Sequence, residues 1–225
     1  METSIKVQKK FDSNIKILLE HEGIYDHLVH RRLLVYFSEL YDWNKRINLT
    51  GIKDPEKLVL KHLGDSLVLR RHLDVKGKIL DIGTGAGVPG FILKLIDPSI
   101  DITLVDAVRK KISFIKTLAS YIKGLHINAL HFRLTGNDSD VLRLGSRFDI
   151  IISQAVGSVE LFLKFFNAIS NKGAKGYLLK GSNIKKELKY LELKKENLTL
   201  EYEIIKDNLP ILDHVRNILV FRKYS

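Results

Sequence analysis

Ten residues, Asp81-Ile82-Gly83-Thr84-Gly85-Ala86-Gly87-Val88-Pro89-Gly90, follow the short apolar run Ile79-Leu80. Glycine at every second position lets the backbone approach a ligand that side chains would hold away, and it costs too much chain entropy to serve a turn alone. The spacing from Gly85 to Gly90 satisfies the G-x-G-x-x-G pattern, and Asp106 follows by the roughly 20 residues at which an acid accepts ribose hydroxyls. Two nucleotide-derived cofactors use such a turn, so hydride transfer and methyl transfer are the candidate chemistries.

Asp81 separates them. A dinucleotide sets its pyrophosphate against the helix N-terminus, where a carboxylate repels it. S-adenosylmethionine instead carries an ammonium and a sulfonium, and charge-assisted hydrogen bonds to such groups contribute roughly 1.5 to 3 kcal/mol. The residues therefore favour a methyl donor. Asp106 suits either cofactor, and the position of the loop well inside the chain weighs weakly against a dinucleotide domain.

The rest of the chain narrows the chemistry further. With no cysteine there are no disulfides, no thiolate metal sites and no cysteine nucleophile. No metal site is expected. No Asn-Pro-Pro-Tyr cluster, as expected for exocyclic adenine methylation, follows the fourth strand; that place holds Ser153-Gln154-Ala155-Val156. His62 and Asp65 lie three apart on one helical face and are candidates to position a substrate base, as is Lys180 at the end of a strand.

Two kinds of pattern must position these residues. From Phe11 to Leu73 apolar residues recur at helical spacing, and Asp54-Pro55 reads as an N-cap followed by proline at the first helical position. Beyond Gly77 short apolar strands alternate with helices, the signature of a parallel sheet covered on both faces. Strands are expected at 79–81, 102–106, 127–132, 148–153 and 176–179, with helices opening near Pro89, Val108, Ser158 and Asn183. A final pair at 199–205 and 217–221 lacks an intervening helix, which predicts an antiparallel edge. The expected organisation is a helical extension over 1–76 and an α/β domain with a seven-stranded, mostly parallel sheet over 77–225. Trp43 is expected in the core.

Several motifs in order, Trp43-Asn44-Lys45-Arg46-Ile47-Asn48-Leu49-Thr50, Lys61-His62-Leu63-Gly64-Asp65-Ser66 and the glycine loop with Pro89-Gly90, resemble the glucose-inhibited division protein B family. The resemblance continues through Asp106-Ala107, Lys110-Lys111, Phe114, Phe148-Asp149, Ile152-Ser153 and Leu179-Lys180-Gly181. It implies a class I methyltransferase (Rossmann-like) fold and S-adenosylmethionine as donor. It also implies guanine N7 of 16S ribosomal RNA as acceptor. By motif position it implies cofactor contacts at Gly83, Val88, Leu134, Thr135 and Gln154, beside Asp81, Gly85 and Asp106 from the loop itself. Two positions depart from the family. Gln154 stands where the family has arginine, and Thr135-Gly136 where it has an acid. An always-charged fork is thus replaced by a neutral amide. This departure raises an alternative, an RNA-binding ribosome assembly factor with weakened catalysis.

Charge supports a polyanionic partner. Lys and Arg total 37 against 26 acids, a formal charge of +11. Lys45, Arg46 and Lys61 load the helical extension, Lys110 and Lys111 follow Asp106, and Arg216 sits in the last strand pair; these are the candidate RNA contacts. 16S ribosomal RNA or the small ribosomal subunit is the expected partner. No signal-peptide core and no run of the ~20 apolar residues that span a bilayer occurs, so no membrane partner and a cytoplasmic location are expected.

Overall fold

The computed structural model describes residues 2–154, 157–194, 200–208 and 215–224. Helix α1 (Glu2–His21), α2 (His27–Ile47) and α3 (Pro55–His72) precede the sheet. Asp26 caps α2 by accepting from Leu28 and Val29 amides, and Asp54 caps α3 through the Lys57 amide, with Pro55 at the first position as expected. The helical segment begins well before Phe11. Its first two turns show no apolar stripe, since Ile5 is exposed and Val7 only partly buried, so periodicity gave no signal there.

Strands β1 (Lys78–Ile82), β2 (Asp101–Asp106), β3 (Asn128–His131), β4 (Phe148–Ser153), β5 (Ser170–Lys180), β6 (Leu200–Asp207) and β7 (Arg216–Lys223) form one sheet in the order β3-β2-β1-β4-β5-β7-β6. The first five are parallel, and β7 pairs antiparallel with both β5 and β6. Helices α4 (Gly90–Ile96), α5 (Arg109–Tyr121), α6 (Ser139–Leu144), α7 (Val159–Ile169) and α8 (Lys185–Lys194) intervene. Among the described residues the sheet therefore has seven strands and an antiparallel edge, as the sequence predicts. Thr199, expected to open β6, lies outside the described residues.

Alternate residues of each strand feed opposite faces. Ile79, Leu104 and Ile152 join the core shared with α1 to α5, whereas Leu80, Val105 and Ile151 join the core under α6, α7 and α8. The helical extension thus packs into the first of these cores. Trp43 is only partly buried, its ring 5.5 Å from Phe114 of α5, which ties the end of α2 to the domain. Two elements differ from expectation. Helix α6 is too short to show a period, and β5 opens six residues earlier through the polar run Ser170-Asn171-Lys172-Gly173. There the strand is held by pairing to Phe148 and by Asn171 donating to Asp149 at 2.7 Å, not by apolar pattern.

Candidate active site

β1 ends in the glycine loop, which folds back onto β2 because the Gly83 and Thr84 amides both donate to the Val105 carbonyl, at 2.8 and 3.1 Å. Gly83, Gly85 and Gly87 all have positive φ, so the alternation of glycines is a backbone requirement. Gly90 has a different reason. A Cβ there would lie 2.5 Å from Asp81 Oδ2 and 2.6 Å from Leu104 Cδ2, so only glycine lets α4 begin against β1 and β2.

Asp106 closes the loop from the other side. Its Oδ2 accepts from the Gly85 amide at 2.9 Å and its Oδ1 from the Val108 amide at 2.8 Å. Each oxygen retains a lone pair, so ribose hydroxyls can still donate to it. Above this acid opens a groove of about 330 Å³, lined by Gly83, Asp106, Phe132, Leu134, Leu161 and Phe165 among others. One carboxylate beside an apolar slot matches a nucleoside, with an acid for the sugar and flat apolar walls for the base. A wider depression of about 600 Å³ lies at the opposite, amino ends of β1, β2 and β4, beside Lys78, Asp101 and Asp149. Ligands of open α/β sheets bind at the carboxyl ends, and the glycine loop is there, so the smaller groove is the candidate site.

Of the expected cofactor residues, Gly83, Asp106 and Leu134 stand on the walls of this groove. Asp81 does not. It is 0% exposed, with Oδ2 accepting from the Gly90 amide at 2.9 Å, so the expected direct contact with a ligand cation is corrected to a role in shaping the loop. Burial pushes its pKa up to about 7, opposed by hydrogen bonding from the Thr84 side chain and the Gly90 amide and aided by the Asp106 charge. Its Oδ1 and the Thr84 hydroxyl are buried together beneath the loop. Gly85 serves the site through its amide, and Val88 is buried in the core rather than on the groove.

Thr135 lies just past the groove, next in the chain to Leu134, and its backbone is held from α6. Asp140 Oδ2 accepts from the Thr135 and Gly136 amides at 2.9 and 2.7 Å. Tyr36 was missed altogether. This fully buried α2 residue donates to the Ala86 carbonyl at 3.1 Å, so the helical extension braces the glycine loop directly. Burial holds its phenol protonated well above the ordinary range.

Gln154 turns away from the groove. Its amide donates to Asp65 Oδ2 at 2.6 Å, and Arg216 Nε donates to Asp65 Oδ1 at 2.6 Å. Asp65 is 0% exposed and the Arg216 side chain 12%, so Asp65 and Arg216 are structural partners in an internal pair. The expected base contact by Asp65 and phosphate contact by Arg216 are corrected accordingly. His62 pairs with neither: its Nε2 lies 3.2 Å from the Thr50 hydroxyl, and burial, with Lys61 adding, lowers its pKa to about 4. A neutral, engaged imidazole is a brace for the 48–53 loop. Lys180 donates to the Gly157 carbonyl and pairs with Glu187 at 3.1 Å, fixing the approach to α7.

Among the expected RNA contacts, Lys45, Arg46, Lys61 and Lys110 are exposed, while Lys111 lies 3.8 Å from Asp106. Other basic residues of the extension hold the fold together, as Arg71 does with Glu22 and Asp207. No helix among the described residues is long and apolar enough to cross a membrane, and no cluster there could hold a metal.

A parallel sheet with this strand order, an antiparallel β7 and a glycine loop after β1 defines a class I, S-adenosylmethionine-dependent methyltransferase. Solved structures share the architecture: a methyltransferase from Pyrococcus furiosus (TM-score 0.56, 17% identity, 87% of this chain and 99% of that one). The YcgJ protein from Bacillus subtilis is similar too (TM-score 0.54, 14% identity, 72% and 98%). The chain belongs to the rRNA small subunit methyltransferase G family, whose sequence model matches residues 29–215. Proteins named ribosomal RNA small subunit methyltransferase G are 34% identical over 191 residues in Caldanaerobacter subterraneus subsp. tengcongensis, covering 84% of this chain and 79% of that protein. The Desulfitobacterium hafniense protein of that name is 33% identical over 202 residues, covering 84% and 82%. The dinucleotide alternative is thereby excluded.

Proposed function

We propose that this methyltransferase modifies N7 of a guanine in 16S ribosomal RNA, presented on naked RNA or on the small ribosomal subunit. The observation that carries this reading is the placement of the nucleoside groove at the carboxyl edge of the sheet, beside a helical extension that exposes Lys45, Arg46 and Lys61. Gly83, Asp106 and Leu134 hold the donor, Asp106 by the ribose and Leu134 by the base; Asp81, Gly85, Val88 and Asp140 set the loops that do so. The division into an extension over 1–76 and a catalytic domain over 77–225 gives the extension the task of presenting RNA.

S-adenosylmethionine, when bound, supplies a methyl group already activated by its sulfonium. Guanine N7 carries a lone pair and no proton, so the protein needs no general base. Its residues need to align acceptor and donor and exclude water, and such positioning lowers barriers by roughly 7 to 11 kcal/mol. His62, with a pKa of about 4 and its Nε2 engaged by Thr50, fits a protein that moves no proton at the acceptor.

Small subunits from a strain lacking the gene are incubated with purified protein and S-adenosylmethionine, and nucleosides are identified by mass spectrometry. The expected product is 7-methylguanosine in 16S RNA. Methyl transfer to another atom, or none on either naked RNA or particles, sinks the acceptor assignment. S-adenosylhomocysteine titration tests the site itself: Asp106→Ala should bind at least tenfold more weakly, as expected for loss of a carboxylate hydrogen bond.

A further inference from the structure

At the carboxyl end of α2 a second groove, of about 500 Å³, is lined by Tyr41, Asn44, Lys45, Arg46, Asn48 and Lys53. We propose that it is a phosphate-binding subsite that grips the single-stranded backbone of the RNA substrate away from the reacting base. The proposal rests on RNA being the acceptor and adds where, and through which atoms, the strand is held.

The groove is built rather than incidental. Asn48 adopts a left-handed conformation that ends α2. Asn44 then ties the following loop at both ends of its amide, donating to the Ile52 carbonyl at 3.0 Å and accepting from the Thr50 amide at 2.8 Å. His62 braces the same loop through Thr50. Lys53 therefore leaves a fixed backbone, and a fixed loop loses little entropy when a ligand arrives.

Its charge is arranged for an anion. Arg46 and Lys53 are exposed and have no carboxylate within ion-pair distance among the described residues. Lys45 is pre-positioned, 2.8 Å from exposed Asp42 and 4.0 Å over the Tyr41 ring. Asp54, next in the chain to Lys53, faces α3, where its Oδ1 accepts from the Lys57 amide. Two unpaired cations and one oriented one line the groove with the Asn48 side chain, a donor set for phosphate oxygens. Lys45 occupies the Tyr41 face, so the subsite reads backbone rather than stacking a base. Its size is that of clefts holding molecules larger than one ion.

The groove is also coupled to the methyl-donor site. Lys110, on the helix that opens just after Asp106, donates to the Ile47 carbonyl at the groove's edge. Trp43 against Phe114 locks the same end of α2 to α5. A strand held here is thus presented at a fixed distance from Asp106.

The test is binding of a labelled single-stranded oligoribonucleotide from the substrate region, measured by anisotropy across salt concentration. Replacing Lys45, Arg46 and Lys53 by Gln removes three phosphate contacts, so the slope of log K against log salt should flatten by about 2. The deoxyribose oligonucleotide should show the same loss, because only phosphates are read. A control triple on the opposite face of the sheet, Lys186→Gln, Lys189→Gln and Lys194→Gln, should leave the slope in place. S-adenosylhomocysteine affinity should be unchanged in both, and the groove triple should raise KM for RNA far more than it lowers kcat. An unchanged slope, equal losses in the two triples, or no salt-dependent binding by the parent overturns the subsite. Slope loss without 7-methylguanosine formation sinks the acceptor assignment alone.

Discussion

Two buried acids, one at the end of β1 and one in α3, are kept in different ways. Asp81, under the glycine loop, is served by the Gly90 backbone amide and the neighbouring Thr84 and has no cationic partner among the described residues, and its pKa rises to about 7. Asp65, in the middle of α3, is served by two side chains from remote strands, Gln154 after β4 and Arg216 in β7. The first arrangement shapes a loop locally; the second bolts the helical extension to the far end of the sheet. A backbone-served acid depends on glycines beside it, whereas a side-chain-served acid depends on the whole fold being assembled.

The sharpest way to break that contrast is Arg216→Ala, which leaves Asp65 buried without its cation. Loss of one partner from such a pair costs about 3 to 5 kcal/mol, read by urea unfolding. Adding Asp65→Asn should recover much of it, and a loss below about 1 kcal/mol would show that the pair is not the bolt described. On the other side, Gly90→Ala forces a Cβ to 2.5 Å from Asp81 Oδ2 and should cost about 1 to 3 kcal/mol, with weaker S-adenosylhomocysteine binding as the loop shifts. Wild-type stability and affinity in that variant would contradict the packing.

The smallest effects are in pH. Asp81 has its folded pKa raised from 3.8 to about 7, so its contribution is full below pH 4 and is lost as pH rises through 7. His62 runs the other way: its pKa falls from 6.5 to about 4, so stability is present above pH 6.5 and lost as pH falls through 4. The two slopes oppose one another between pH 4 and 6.5, each at most roughly 1.4 kcal/mol per pH unit. Asp81→Asn should therefore expose a stability that rises with pH across that window, and His62→Gln one that falls. Unfolding free energies at four pH values check both signs, and parallel curves for parent and variants would refute the assignment.

The alternating strands and helices, the antiparallel edge and the glycine loop were legible because each is a local pattern. Gly83 and Asp106 were legible for the same reason, since a positive φ and an acid at a strand's end leave marks in sequence. The roles of Asp81, Gln154 and Arg216 were not. Asp81 beside glycines suggests a ligand contact, but whether its carboxylate faces the groove depends on α4 closing over it. Asp140 holds the Thr135 backbone from a helix too short to detect, and Tyr36 reached the loop from 50 residues away.

Composition, motif order and periodicity by themselves determined a methyltransferase fold carrying a donor loop and an excess of positive charge, because covalent neighbours fix turns, faces and net charge. Only the tertiary structure decided which charges are free to meet an anion. Arg71 and Arg216 are spent on partners distant in the chain and Lys180 on Glu187, while Arg46 and Lys53 are left exposed around a rigid groove. Pairing of charges depends on distances across the fold, and a sequence holds no distances.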